Sequence, residues 1–430
     1  MDVPARRVPA AHRSRVLRAA TRIGWGIADQ GVSSLTNFAL GIVVARALDA
    51  AGFGVFGLAW VTYGVVLNVS RGLCSDPFTV RFSAADPAER ARAVARMTGC
   101  TLLVGGTAGA VTAGIGAVLG GPLGAAFVAL GIVLPGVLLQ DAWRFAFFAA
   151  GAGRRSFVND LTWAVLLVPA LALASAAPSV PAFVLAWGVS GGLAGVLGCV
   201  QAGIRPRPTV AAGWLREQRD LGPRYLIENV SLSGAAQLRL FGLGALAGLA
   251  AVGAIRGGEL LIGPFLALLM GISVISVPEA ARVRRAAPHR LLQFCLLLGT
   301  VQALAAAVWG VLLLMLPDAW GRALLGDVWP GAAALVVPMT ITVMGSSMST
   351  GAMTGLRSLG AARRSLRAQL VAAAAYALFG IAGAWVGGAP GSAWGLVAAT
   401  SLAAAVWWAQ LRAGVRDPGA LPLPVTERTP

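Results

Sequence analysis

From residue 24 onward the chain alternates long apolar blocks with short stretches rich in Arg, Pro and Asp. Most blocks reach about 20 residues, the length a helix needs to cross a hydrocarbon core of roughly 30 Å. The pattern predicts twelve spanning helices. Six lie at 24–45, 54–80, 98–120, 123–149, 161–177 and 181–204, and six more at 225–250, 254–277, 291–316, 331–356, 368–387 and 392–411. The first block follows Arg6, Arg7, Arg13, Arg15, Arg18 and Arg22 and carries Asp29, Gln30 and Asn37. A signal peptide has a shorter core and a small-residue cleavage site, so this segment reads as a retained helix. The expected layout is an N-tail (1–23), an N-lobe (24–204), a linker (205–224), a C-lobe (225–411) and a C-tail (412–430).

Composition agrees with the pattern. Of 430 residues, 57% are hydrophobic and 12% charged, and the mean hydropathy is +0.77. Soluble domains carry about 25% charged residues, so a soluble enzyme, a disordered chain and a disulfide scaffold are excluded. The net charge is +17, and all 34 basic residues are Arg. Without Lys, no P-loop, Schiff base or kinase-type Lys–Glu pair can form. In a soluble chain a pI near 11.6 would suggest nucleic acid. Here it reads as cationic loops facing an anionic leaflet, and no nucleic-acid partner is expected.

The stretches 1–23, 81–97, 150–160, 205–224, 278–290, 357–367 and 412–430 hold 28 of the 34 Arg. That bias puts both termini on the cytoplasmic side of an inner membrane of bacterial type. Loops on the opposite side are short, the longest near 317–330, and leave no room for a soluble active site. No catalytic residues are assigned and the protein is not expected to be an enzyme. Cys74, Cys100, Cys199 and Cys295 are widely spaced without a CxxC pair, and His12 and His289 lie outside the apolar blocks. Neither a metal nor a cofactor is expected.

An offset of 199 positions sets Asp29-Gln30 against Glu228-Asn229, Ser34 against Ser233 and Gly54 against Gly253. At an offset of 201, Ser75-Asp76-Pro77 faces Ser276-Val277-Pro278 and Arg81 faces Arg282. Six helices per repeat preserve orientation, so the halves would be related by an axis along the membrane normal, as in transporters whose two bundles rock about a cavity. The fold class expected is thus an all-α polytopic membrane protein of twelve helices in two pseudo-symmetric six-helix lobes.

The run Val44-Ala45-Arg46-Ala47-Leu48 and the following Gly52-Phe53-Gly54-Val55-Phe56 resemble the junction between the first two helices of polysaccharide exporters. Leu325-Gly326-Asp327-Val328-Trp329-Pro330 resembles the approach to their tenth helix, and Gly355-Leu356-Arg357-Ser358-Leu359-Gly360 the segment leaving it. These exporters belong to the multidrug/oligosaccharidyl-lipid/polysaccharide (MOP) superfamily, and the resemblance covers essentially the whole chain. It implies alternating access and a glycan carried on polyprenyl pyrophosphate as substrate. A glycan polymerase and glycosyltransferases would be the partner enzymes. A drug or cation antiporter of the same fold, and a scaffold for polysaccharide synthesis that transports nothing, remain open alternatives.

Few ionisable residues fall inside the blocks, and such residues usually face a cavity or a partner. Arg71 lies about 13 Å from the cytoplasmic edge and Arg239 about 21 Å deep. One reading makes them a cationic clamp for pyrophosphate across the cavity, since guanidinium pairs with phosphate in bidentate fashion. The other makes them internal ion pairs, Arg71 with Asp76, and Arg239 with Glu228 or Glu259. Asp29 and Glu228, equivalent in the repeat, are candidates for ion coupling or for a gate, or are helix-end acids favoured by the dipole. Asp141 and Arg144 stand three apart on one helix face and are expected to pair with each other. Glu259 has Arg256 as a partner three residues away. Trp143, Phe145, Phe147 and Phe148 read as an interfacial aromatic belt, and Trp25, Trp320, Trp329, Trp407 and Trp408 as interfacial anchors.

Overall fold

A computed structural model describes residues 10–416, with side chains at all of these except 10–23, 228, 230–233, 268, 270–275, 278 and 362. Every regular element among the described residues is helical. The order is α1 (Ala10–Ala47), α2 (Ala50–Ser70), a π-helical turn (Arg71–Ser75), α3 (Asp76–Phe82), α4 (Pro87–Leu119), α5 (Gly121–Ala149), α6 (Gly153–Ala176) and α7 (Val180–Ala202). There follow α8 (Ala211–Glu217), α9 (Gly222–Ala247), α10 (Leu249–Ala286), α11 (Leu291–Leu314), α12 (Asp318–Leu325), α13 (Trp329–Ala333), α14 (Val336–Ser358) and α15 (Ala362–Arg416).

Local chemistry sets several of these ends. Asp86 caps α4, its Oδ1 accepting from the backbone N–H of Ala88 at 2.9 Å and of Glu89 at 3.0 Å, with Pro87 in the first turn. The same two backbone donors, Glu89 first, hold the Asp86 carboxyl below the usual carboxylate range. Ser179 and Pro181 open α7, and Gly203, at φ 66°, closes it in the left-handed region. α15 is interrupted at Gly387 and at Gly388, the latter with φ 59°. Its two limbs then run back along each other so closely that a Cβ on Gly383 would strike the carbonyl of Gly391, and one on Gly395 that of Phe379.

Among the described residues, nine helices are long and apolar enough to cross a membrane, with a tenth if Asp318–Ala333 and Val336–Ser358, bent by 80°, form one span. Two features separate this count from the twelve blocks of the sequence. The ninth helix, Arg363–Arg416, holds two of the expected blocks on either side of its glycine break. The block expected at 225–250 forms α9, a continuous 26-residue helix that is not among the nine because part of it lies outside the residues described with side chains.

The chain divides into two compact units: Met1–Leu40 with Thr62–Val230, and Gly41–Val61 with Ser231–Pro430. The sequence placed a cytoplasmic linker at 205–224 and kept 41–61 in the first lobe; here 205–224 falls within unit 1 and 41–61 within unit 2. Within unit 1 the indole of Trp214 on α8 is fully buried beside Cys74, Phe78, Met97 and Trp143. Its Nε1 donates to the carbonyl of Leu73 at 3.2 Å, in the π-helical turn, where an inserted residue disturbs the usual ladder. Arg81 donates to both carboxylate oxygens of Asp220 at 2.6 and 2.7 Å, and Arg96 pairs with Glu217 at 2.6 Å. The segment 205–224 is therefore docked on unit 1.

Within unit 2 the helix ends around Gly54 and Gly253 meet. A Cβ on Gly54 would collide with the carbonyl of Leu249, and one on Gly253 with that of Ala50. These glycines are equivalent at the 199-residue offset. This close approach is why 41–61 packs with the later residues.

Candidate functional site

Among the described residues, buried charge is concentrated in two clusters, one in each unit. In unit 1, Arg71 leaves the start of the π-helical turn and meets Asp141 on α5 as a bidentate pair, Nε to Oδ2 at 3.0 Å and Nη2 to Oδ1 at 2.6 Å. The guanidinium also stacks over the Phe145 ring, 5.5 Å from its centroid. Arg144, one turn along α5, donates from Nε to Asp29 Oδ2 at 2.7 Å. Its Nη2 reaches Gln30 Oε1 at 3.2 Å and lies 3.7 Å from Asp160 Oδ2 on α6. Asp160 is held on its other oxygen by Gln140 Nε2 at 2.6 Å, and Asn159 donates to the Ala194 carbonyl at 2.8 Å. Asp29 is fully buried, and its Oδ1 has no hydrogen-bond partner among the described residues. Three carboxylates, Asp29, Asp141 and Asp160, therefore share two guanidiniums, a surplus of one acid.

Unit 2 has the opposite balance. Arg239 on α9, 1% exposed, donates from Nη2 to Glu259 Oε1 at 3.1 Å. Arg256, one turn before Glu259 on α10, donates from Nη1 to the other oxygen at 2.6 Å. Arg239 also lies over the Tyr376 ring, 5.5 Å from its centroid, with Nη1 3.5 Å from Ser392 Oγ. Two guanidiniums thus share one carboxylate, a surplus of one base.

The structure revises several expectations. The pair Asp141–Arg144 does not form: Asp141 binds Arg71 and Arg144 binds Asp29 and Asp160, because helices packed alongside α5 offer better-placed partners than its own face. Arg71 and Arg239 are not bare cations, since each is locked on a carboxylate. The partner of Arg71 is Asp141, while Asp76 accepts from Asn229 Nδ2 at 2.7 Å. For Arg239 the partner is Glu259, as the ion-pair reading allowed, and the Arg256–Glu259 pair forms as expected. Asp29 lies in the unit 1 cluster, whereas the side chain of Glu228 is outside the described residues. Trp143 and Phe147 are core residues, at 0% and 3% exposure, and not an interfacial belt. Trp329 is buried with its Nε1 donating to Asp318 at 2.9 Å, and Trp407 is also buried. The sequence did not single out Asp160, since its predicted span started at 161, nor Tyr376. Among the described residues no group of His, Cys, Asp and Glu is arranged to hold a metal ion.

Neither a protein-family profile nor a curated protein matches the sequence. Solved structures do match the fold. The chain is similar to an inward-facing multidrug resistance MATE family transporter of the MOP superfamily, at 13% identity and a TM-score of 0.69 over 89% of this chain and 94% of that one. It is similar to the lipid II flippase MurJ in an inward closed conformation, at 9% identity and a TM-score of 0.69, covering 92% of this chain and 88% of that one. A third similar structure is a MOP superfamily transporter from Pyrococcus furiosus with a reverse-polarity binding pocket, at 13% identity and a TM-score of 0.52, covering 93% and 95%. The chain is a multi-pass membrane protein with the fold of the MOP transporters, and its structural neighbours are transporters and flippases.

Proposed function

We propose that this protein moves a polyprenyl-pyrophosphate-linked oligosaccharide from the cytoplasmic to the outer leaflet by alternating access, for the synthesis of an exported polysaccharide. In this reading the chain crosses the membrane twelve times, with α9 and each limb of α15 as single crossings, and the Arg-rich loops and both termini face the cytoplasm. The observation that carries it is the shared carboxylate of unit 2. Glu259 can neutralise one of its two guanidiniums, so the group remains cationic. A surplus guanidinium suits a phosphate-bearing substrate and disfavours a cationic drug. Arg239 then serves through this group, and Arg71 is a second substrate-binding guanidinium once its pair with Asp141 opens.

Asp29 is the coupling residue in this scheme. Its Oδ1, unpartnered among the described residues and within an acid-rich cluster, is an open acceptor for the coupling ion, and Glu228 is its repeat equivalent. The acid surplus of unit 1 equally supports a second reading, an ion-coupled drug antiporter of the same fold.

Vesicles of anionic phospholipid holding the purified full chain separate these readings. A lipid-linked glycan transporter shifts the leaflet exposure of a fluorescent polyprenyl-pyrophosphate glycan. Arg256→Gln, which leaves Arg239 paired with Glu259, is expected to slow the shift about tenfold. Wild-type speed in that variant would overturn the role of the shared carboxylate. Ethidium uptake without glycan movement would establish the antiporter, and movement of neither would establish a scaffold.

A further inference from the structure

Apart from the charged clusters, unit 2 contains a cavity of about 270 Å³ among α9, α14 and α15. Its lining includes Ser346, Ser349, Thr350, Gln369, Tyr376, Thr400 and Trp407, and every residue in that lining is uncharged. The four Ser and Thr hydroxyls have a common arrangement. Ser346 donates to the Thr342 carbonyl at 2.9 Å, Ser349 to Gly345 at 3.1 Å, Thr350 to Ser346 at 3.0 Å and Thr400 to Leu396 at 2.9 Å. Each hydroxyl hydrogen is therefore committed to its own helix, and each oxygen keeps a lone pair as an acceptor. Trp407 and Tyr376 add aromatic surface to the same lining.

This wall discriminates between ligand classes. A cation would find no carboxylate in the lining, and the Arg239 guanidinium lies against the Tyr376 ring. A phosphate would find no cationic side chain in the lining, and four Ser and Thr oxygens that can only accept. A ring bearing several adjacent hydroxyls supplies the donors the four oxygens lack, and its C–H face packs against aromatic side chains. Ligand pockets for drug-sized molecules run to about 300–1,000 Å³, so a cavity of about 270 Å³ takes one ring and not a whole oligosaccharide.

We infer that this cavity is a subsite for a single neutral pyranose unit of the transported glycan. The inference rests on the glycan reading above and specifies which part of that substrate unit 2 would recognise. It also assigns Thr350 and Thr400 as acceptors that set specificity.

The test uses the detergent-purified full chain and methyl pyranosides of differing hydroxyl stereochemistry as probes. Saturable quenching of tryptophan emission by at least one of them, absent in Trp407→Phe, is the expected result. Thr350→Val and Thr400→Val keep side-chain shape while removing one acceptor each, and both are expected to weaken that binding about tenfold. Circular dichroism and elution volume identify correctly folded variants. The inference is overturned if no pyranoside gives saturable quenching, if the valine variants bind as wild type does, or if ethidium gives the same Trp407-dependent signal. If vesicles show no glycan movement while the pyranoside still binds at Trp407, the transport reading fails and the sugar site stands. Glycan movement without pyranoside binding has the reverse meaning.

Discussion

Replacing Arg71 by Met removes a guanidinium of which about a third is exposed and leaves Asp141, whose side chain is 8% exposed, without its bidentate partner. Arg144 is three residues away but is committed to Asp29 and Asp160. Stranding one member of a buried ion pair costs about 3–5 kcal/mol, and the partial exposure of Arg71 argues for the lower end. At about 2–4 °C per kcal/mol for a domain of 150–250 residues, the melting temperature of Arg71→Met should fall by about 6–12 °C. Asp141→Leu is milder, on the order of 1–2 kcal/mol, because Arg71 keeps the Phe145 face and its exposed edge. The double variant removes both charges and should return to within about 1 kcal/mol of wild type, a coupling of about 3–5 kcal/mol. Thermal unfolding of the four proteins in one detergent, at one pH and ionic strength, measures the cycle. A double variant as unstable as Arg71→Met would refute the reasoning, because it would show that Arg71 stabilises the fold by something other than neutralising Asp141. The cycle also guards the transport assay, in which loss of activity in Arg71→Met alone would be confounded with loss of fold.

Two further outcomes follow from local geometry. Gly253→Val forces a branched side chain against the Ala50 carbonyl and is expected to destabilise the protein by about 1–3 kcal/mol or more, whereas Gly106→Val, where nothing lies within 4 Å, should unfold close to wild type; equal melting temperatures for the two would contradict the close approach. The Asp86 carboxyl, held low by the amides of Glu89 and Ala88, stabilises α4 in full above the ordinary carboxylate pKa and loses that contribution as pH falls through its own lowered value, so the melting difference between wild type and Asp86→Ala should be widest near neutrality and close in acid, and a difference independent of pH would remove the capping role.

Most of the helical architecture was legible in the sequence, because a membrane leaves the backbone few alternatives. A run of about 20 apolar residues must satisfy its own hydrogen bonds, and a helix does so locally. Caps such as Asp86–Pro87 and breaks such as Gly387–Gly388 are likewise written in adjacent residues. The close approach of Gly54 and Gly253 is a matter of packing between helices. The candidate charges were also legible, since Arg71, Arg239, Asp29, Asp141 and Arg144 stand out in an apolar background.

Their partners were not legible. Spacing along one helix favoured Asp141 with Arg144, yet the three-dimensional arrangement paired Asp141 with Arg71, which is 70 residues away, and Arg144 with Asp29, which is 115 away. Ion pairing depends on distances of a few ångströms between side chains from different helices, and only packing sets those distances. The same holds for Trp214, whose place in the core no local pattern announced, and for the hydroxyl-lined cavity, whose walls come from helices more than a hundred residues apart. Sequence alone thus determined which segments are helical and which charges they carry, while the tertiary structure decided which charges are neutralised and where polar space remains.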